Sequence, residues 1–375
     1  MQWAHQAILR RACSPAECER IVAELAATKD SRLALLQRLL SCEEYECRFR
    51  FRAHSAFLEG HFYSPVPSDE DVAATLRRIP TDLEGNGIDL HLPEQMQLLQ
   101  GLAEMYPTIP FKDQGAPGFR YRYDNGTYAY GDAIMLHLMI RWLRPQRIIE
   151  IGSGNSSCVT LDTNQYFFNN RIRCTFIEPF PALVQSLLKP EDRIDLLPVR
   201  LQDVDLAVFD ALEGRDILFI DSTHVSKLNS DVNRLFFEIL PRLNPGVFVH
   251  IHDVFPGFEY PEQWLLEGRA WNEQYLLRAF LQYNDHFHIR LFHGLLANYE
   301  RAWFEKNMPL VLSNPGGALW IEKLDILTSS NPTARRESEG GREIAPDPRN
   351  WPAGSSRTES RHLSRCRRNT GVLIF

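Results

Sequence analysis

Two clusters of polar residues follow the most apolar short runs of this 375-residue chain. Asp221-Ser222-Thr223-His224 comes directly after Ile217–Ile220. His250, His252 and Asp253 end or follow the run Val247–Ile251. In an open parallel sheet, ligands bind outside the carboxyl ends of the strands. Asp221, His252 and Asp253 are therefore expected to converge. Carboxylates with imidazole suit a divalent ion. Such an ion polarises a hydroxyl and lowers its pKa. Without a metal, His252 or His224 has a pKa suited to taking the same proton as general base. A structural polar network is the third role open to these residues. Side chains alternate along a strand, so His250 and His252 share a face. Asp253 is expected to turn the other way or to enter the loop.

A second signal is the run Ile148-Ile149-Glu150-Ile151-Gly152-Ser153-Gly154-Asn155-Ser156-Ser157. A strand enters a glycine-rich turn that opens a helix. Glycines let the backbone approach a ligand, and the helix start presents free amides. The third glycine of a G-x-G-x-x-G dinucleotide fingerprint is replaced by Ser157. Glu150 stands on the strand end, where it suits the ammonium of a cofactor with an amino-acid moiety. The next apolar run, Cys174–Ile177, ends in Glu178, 26 positions after Gly152. An acid there is placed to accept hydrogen bonds from both ribose hydroxyls. Ribose recognition is common to NAD and S-adenosylmethionine.

These residues need a scaffold, and the middle of the chain supplies its pattern. Strand-like runs at Arg147–Ile151, Cys174–Ile177, Asp216–Ile220 and Val247–Ile251 are separated by helical stretches such as Pro181–Leu188 and Leu228–Leu240. The helix Asp132–Leu143 leads into the first of them. Short buried strands between helices imply a parallel sheet covered on both faces. Two late runs, Phe287–Phe292 and Ala318–Glu322, have only a loop and a short helical patch between them and suggest an antiparallel edge strand.

Residues 1–110 read as a helical extension. Helices are expected after the capping box Ser14-Pro15-Ala16-Glu17, after Asp30-Ser31, from Ser68 and from Pro93. Phe57–Pro67 reads as an ordered loop. Residues 324–375 hold nine Arg, no Lys and six acids among Pro, Ser and Gly, and read as a disordered tail.

At this point the chain resembles a family. EIGSGNSS, FIEPFP, DILFIDSTH, LNPGVFVHIHDVF and GGALWIEK are similar to the class I S-adenosylmethionine-dependent methyltransferases. Within the class the resemblance is to bacterial small-molecule O-methyltransferases, and more distantly to metal-dependent catechol, caffeoyl-CoA and macrolide-sugar types. It covers about residues 118–323. It implies an α/β, Rossmann-like doubly wound sheet of seven strands with the last antiparallel. It also implies that Glu150, Gly152, Ser153 and Gly154 hold the methionine part, Glu178 the ribose and Asp203 the adenine. Metal ligands of the metal-dependent relatives fall after the same two strands, which supports Asp221, His252 and Asp253. Those relatives use oxygen-rich ligand sets, so the histidine here speaks against magnesium. In the family's E-x-G-x-G-x-G the third glycine is Ser156 here.

The expectation is therefore a methyltransferase with domains at 1–110, 111–323 and 324–375. It would use S-adenosylmethionine, with or without a divalent metal, on a small-molecule acceptor. An NAD-dependent oxidoreductase and a non-catalytic cofactor-binding scaffold are the other classes. The net charge of −7 argues against a dedicated nucleic-acid partner. No run reaches the roughly 20 apolar residues of a membrane span. The first residues lack the long apolar core of a signal peptide. Seven cysteines without zinc-ribbon spacing suggest reduced thiols in a cytoplasmic protein. Homo-oligomerisation is left open. Tyr121, Tyr123, Tyr128 and Tyr130 form either a packed aromatic turn or a lip over the cofactor. The loop Pro256–Pro261 and the aromatics after it form either an acceptor pocket or helix core.

Overall fold

A computed structural model describes residues 57–78 and 87–325, within a unit that ends at Asp325. The helices expected near Ser14 and Asp30, and the tail beyond Asp325, lie outside the described residues.

Seven strands form one sheet: β1 (Arg147–Ile151), β2 (Arg173–Ile177), β3 (Ile194–Leu197), β4 (Ile217–Ile220), β5 (Phe248–His252), β6 (Phe287–Leu291) and β7 (Ala318–Lys323). Their spatial order is β3-β2-β1-β4-β5-β7-β6. The first five pair in parallel, and β7 runs antiparallel to both β5 and β6. The seven-stranded sheet with its last strand antiparallel is as expected, but β7 is not at the edge. It is threaded between β5 and β6. Four successive buried residues, Ala318–Ile321, suit an interior strand. β6 alternates buried with half-buried residues, as an edge strand does. The β6–β7 link is also longer in structure than expected, with helices His293–Tyr299 and Arg301–Asn307 and a 3-10 turn at Pro309–Ser313. β3 was not anticipated, because Ile194–Leu197 is only half-buried and interrupted by Asp195.

Alternation along the strands divides the core between two faces. Ile148, Ile217, Phe219 and Trp320 join one apolar cluster, while Ile149, Ile151, Leu218, Ile220 and Ile251 join the other. The first face is covered by α3 (Tyr130–Leu143) and α4 (Asn155–Phe168). α3 is hydrophobic nearly all round, as a helix packed on several sides must be. Two earlier helices, α1 (Asp69–Leu76) and α2 (Leu92–Ala103), precede it. α1 begins as expected: the Ser68 hydroxyl accepts from the Asp71 amide, and the Asp71 carboxylate accepts from the Ser68 amide. Phe57–Pro67 is a loop.

Candidate active site

The glycine turn links the ends of β1, β2 and β4. Gly152 has φ +80° and donates its amide to Ile177 at 3.1 Å. Gly154 caps α4, and its amide donates to the Ser157 hydroxyl at 3.1 Å. Glu150 is fully buried beneath this turn, where one carboxylate oxygen accepts from the Ser156 and Ser157 hydroxyls at 2.6 and 2.8 Å. The serines that replace the third glycine thus anchor the acid. Burial pushes the Glu150 pKa up to about 8, against the two serine hydrogen bonds. Its second oxygen and the Ser153 hydroxyl are buried without a hydrogen-bond partner. Orphaned polar atoms of this kind call for a ligand or water.

Glu178 stands beside the turn, as its place after β2 implies. It accepts from the Ser153 amide at 3.2 Å and the Phe180 amide at 2.8 Å. Asp203 lies on the 3-10 turn Leu201–Asp203, exposed and paired with Arg200 at 2.9 Å.

Asp221, His252 and Asp253 each offer a ligand atom, all within 4.8 Å of one another. His252 Nδ1 lies 3.3 Å from Asp253 Oδ1 and 3.7 Å from Asp221 Oδ1. Neighbouring ligand atoms around an ion with bonds of about 2.1 Å are separated by about 3–3.5 Å, which the His252–Asp253 spacing matches, and two carboxylates with one imidazole are a donor set for a divalent cation. His252 is buried, and neither ring nitrogen makes a hydrogen bond. Asp253 enters the loop after β5, one of the two placements expected for it, and its φ of +57° lies in the left-handed region.

Residues that the sequence reading left out of the site surround this group. Asp132, at the start of α3, lies 3.6 Å from His252 Nε2 and 3.2 Å from His293 Nε2. Glu273 is buried and accepts from His224 Nδ1 at 2.8 Å. His224 Nε2 lies 3.4 Å from Asp221 and 3.3 Å from Asp253. Burial opposes the charge on His224, but its hydrogen bonds to Asp221 and Glu273, and the Glu273 and Asp253 charges, push its pKa up to about 10. His252 is likewise held well above the ordinary value, with Asp221 and Asp253 overcoming burial. Burial works to raise Asp221 and Asp132, yet their histidine partners hold both carboxyls below the usual range.

Residues 149–254 match the family described as "Methyltransferase domain". An uncharacterized protein of Archaeoglobus fulgidus is 35% identical over 164 residues, which cover 42% of this chain and 74% of that one. Residues 149–254 belong to the methyltransferase-domain family. Among solved structures, an SAH-bound methyltransferase of Podospora anserina aligns at 14% identity and a TM-score of 0.37, over 70% of this chain and 100% of that one. The O-methyltransferase TomG of Streptomyces achromogenes, solved with SAM, aligns at 14% identity and a TM-score of 0.35, over 68% and 96%. Both likenesses are weak, and the fold rests on the strand order above.

Beyond these polar residues lie aromatic side chains. His250 is fully buried between Phe219, stacked at 4.2 Å, and Trp320 at 4.7 Å. It belongs to the core rather than to the carboxylate group. Tyr121, Tyr123 and Tyr128 are buried as a packed turn, and the Tyr128 ring lies 5.2 Å from that of His252. Tyr260, Trp264, Trp271 and Tyr275 line a cavity of about 490 Å³ whose other wall includes Val72 and Leu76 of α1. The Trp271 ring packs 4.4 Å from His224, so the cavity borders the polar centre. No helix among the described residues is long and apolar enough to cross a membrane.

Proposed function

We propose that this methyltransferase moves the methyl group of S-adenosylmethionine to an oxygen of a small-molecule acceptor, at a divalent-ion centre held by Asp221, His252 and Asp253. One observation carries the reading. The carboxylate–imidazole group stands at the ends of β4 and β5, and its Asp221 meets the cofactor-type glycine turn backbone to backbone. Gly152, Ser153, Gly154 and Glu150 would hold the methionine part, and Glu178 the ribose. Asp203 would reach adenine only by releasing Arg200.

Held by these residues, S-adenosylmethionine would supply an electrophilic sulfonium methyl carbon to the acceptor oxygen, with S-adenosylhomocysteine as the leaving group. Alignment of these atoms accounts for most of the rate enhancement of such a displacement. A bound divalent ion would lower the pKa of the acceptor hydroxyl. The histidine in the ligand set favours manganese, iron or zinc over magnesium. The carboxylates around His224 and His252 raise the pKa of both rings above the ordinary value. The aromatic cavity beside Trp271 is the proposed acceptor pocket.

The test is production of S-adenosylhomocysteine from S-adenosylmethionine across a panel of hydroxylated ring compounds, with Mn²⁺ or with a chelator. Turnover that needs both an acceptor and the metal, and is lost in Asp221→Asn, supports the reading. Turnover unaffected by chelator removes the metal from it. Cofactor binding without turnover on any acceptor favours the scaffold class.

A further inference from the structure

We propose that Asp132 is a positioning residue for this centre: it faces Nε2 of His252 at ion-pair distance, so that Nδ1 is the ring atom turned to the point shared with Asp221 and Asp253. The proposal rests on the divalent-ion reading, but its first test needs no metal.

His252 has one carboxylate behind it and two in front. Asp132 Oδ2 lies 3.6 Å from Nε2. Asp253 Oδ1 and Asp221 Oδ1 lie 3.3 and 3.7 Å from Nδ1. The ring is 93% buried, at 7% exposure, and neither nitrogen has a hydrogen-bond partner. It is a buried group with no hydrogen bond of its own, set among three carboxylates at ion-pair distance.

Asp132 is itself fixed in place. Its Oδ1 accepts from the Gly317 amide at 3.1 Å and lies 3.2 Å from His293 Nε2, which leaves Oδ2 for His252. A Cβ on Gly316 would come within 2.3 Å of the Asp132 carboxyl, and one on Gly131 within 2.2 Å of the Pro315 carbonyl oxygen. The Gly131 amide donates to Asn314 at 2.8 Å. The turn before β7 and the start of α3 are thus built around this carboxylate. Its partner strand places Ala318 opposite His252 in the β5–β7 register.

An ion on Nδ1 would displace any proton there, so the one remaining ring proton would sit on Nε2, facing a carboxylate that can only accept it. Carboxylate–histidine pairs behind a metal fix both tautomer and ring orientation in this way. Asp132→Asn keeps the shape and reverses the logic. Its amide oxygen would keep the Gly317 and His293 contacts, and its NH₂ would donate to Nε2. The ring proton would then sit on Nδ1 and point into the centre.

The first arm is NMR of histidine-labelled full-length protein without metal, with His252 assigned by comparison with His252→Gln. A slowly exchanging Nε2 proton on His252 in the parent is expected, and its absence there overturns the proposal whether or not Asp132→Asn folds. The second arm is Mn²⁺ affinity, with S-adenosylhomocysteine affinity and melting curves as controls. Asp132→Asn is expected to weaken Mn²⁺ binding by about 10- to 100-fold and to leave cofactor affinity unchanged. Parental Mn²⁺ affinity in Asp132→Asn overturns the proposal, as does parallel loss of cofactor and metal binding. A parent that keeps the protected Nε2 proton but binds no Mn²⁺ overturns the metal reading alone and supports the orienting role.

Discussion

A Cβ at position 152 would lie 2.0 Å from the carbonyl oxygen of Asp221. The cofactor-type turn at the end of β1 therefore meets the first residue after β4 with no room between the two backbones. The Asp221 amide closes the contact by donating to Ile151 at 2.9 Å. Gly152 also needs its φ of +80°, which L side chains rarely adopt.

Gly152→Ala should accordingly push the turn and the carboxylate centre apart. We expect at least a tenfold loss of S-adenosylhomocysteine affinity and about 1–3 kcal/mol of stability. Calorimetric titration and urea melts of the same samples measure the two effects.

Glu178 and Asp253 should separate two functions. Glu178→Ala removes the acceptor of two amides and of the proposed ribose hydroxyls, and should weaken cofactor binding by about 10- to 100-fold. Asp253→Asn tolerates the left-handed backbone but removes a ligand charge. It should abolish Mn²⁺ binding while cofactor affinity stays within about threefold of the parent. Parallel losses in both variants would contradict this division.

Glu150 should give the cofactor-free protein a pH-dependent stability. Its folded pKa of about 8 lies above its ordinary 4.5. The proton is therefore bound more tightly in the folded state. The associated stabilisation is complete below pH 4.5 and is lost as pH rises through about 8. Glu150→Gln removes this dependence. Urea melts should show the variant gaining on the parent across that window, with a constant difference above it. A pH-independent difference would contradict the buried-acid account.

Metal affinity should rise with pH. An ion that binds His252 Nδ1 must displace a proton from a ring held well above its ordinary pKa. Affinity for Mn²⁺ should therefore increase by up to about tenfold per pH unit near neutrality, with proton release on binding. Titrations in buffers of different ionisation enthalpy measure that proton. A flat profile would place the metal elsewhere.

Much of the fold was legible because its strands are short apolar runs with abrupt polar ends. Arg147–Ile151 coincides with β1, and Glu178, Asp221 and His252 stand at strand ends as the runs imply. Pairing order was not legible in the same way. The insertion of β7 between β5 and β6 depends on contacts far apart in sequence, although the continuous apolar run Ala318–Ile321 carries a trace of it. The centre was half legible. Asp221, His252 and Asp253 come from adjacent strands of one sheet, where a positional rule applies. Asp132, Glu273 and His293 come from helices that the fold brings alongside, and no spacing in the sequence links them to His252 or His224. Asp253 shows a further limit. Its place was open between the other strand face and the loop, and the positive φ with which it leaves the strand could not be read from the sequence.

The most direct test of the central claim is calorimetric titration of the full-length protein with S-adenosylhomocysteine, using NAD as the control ligand. Micromolar binding of S-adenosylhomocysteine with no NAD binding is the predicted result. NAD binding alone, or binding of neither ligand by folded protein, would contradict it.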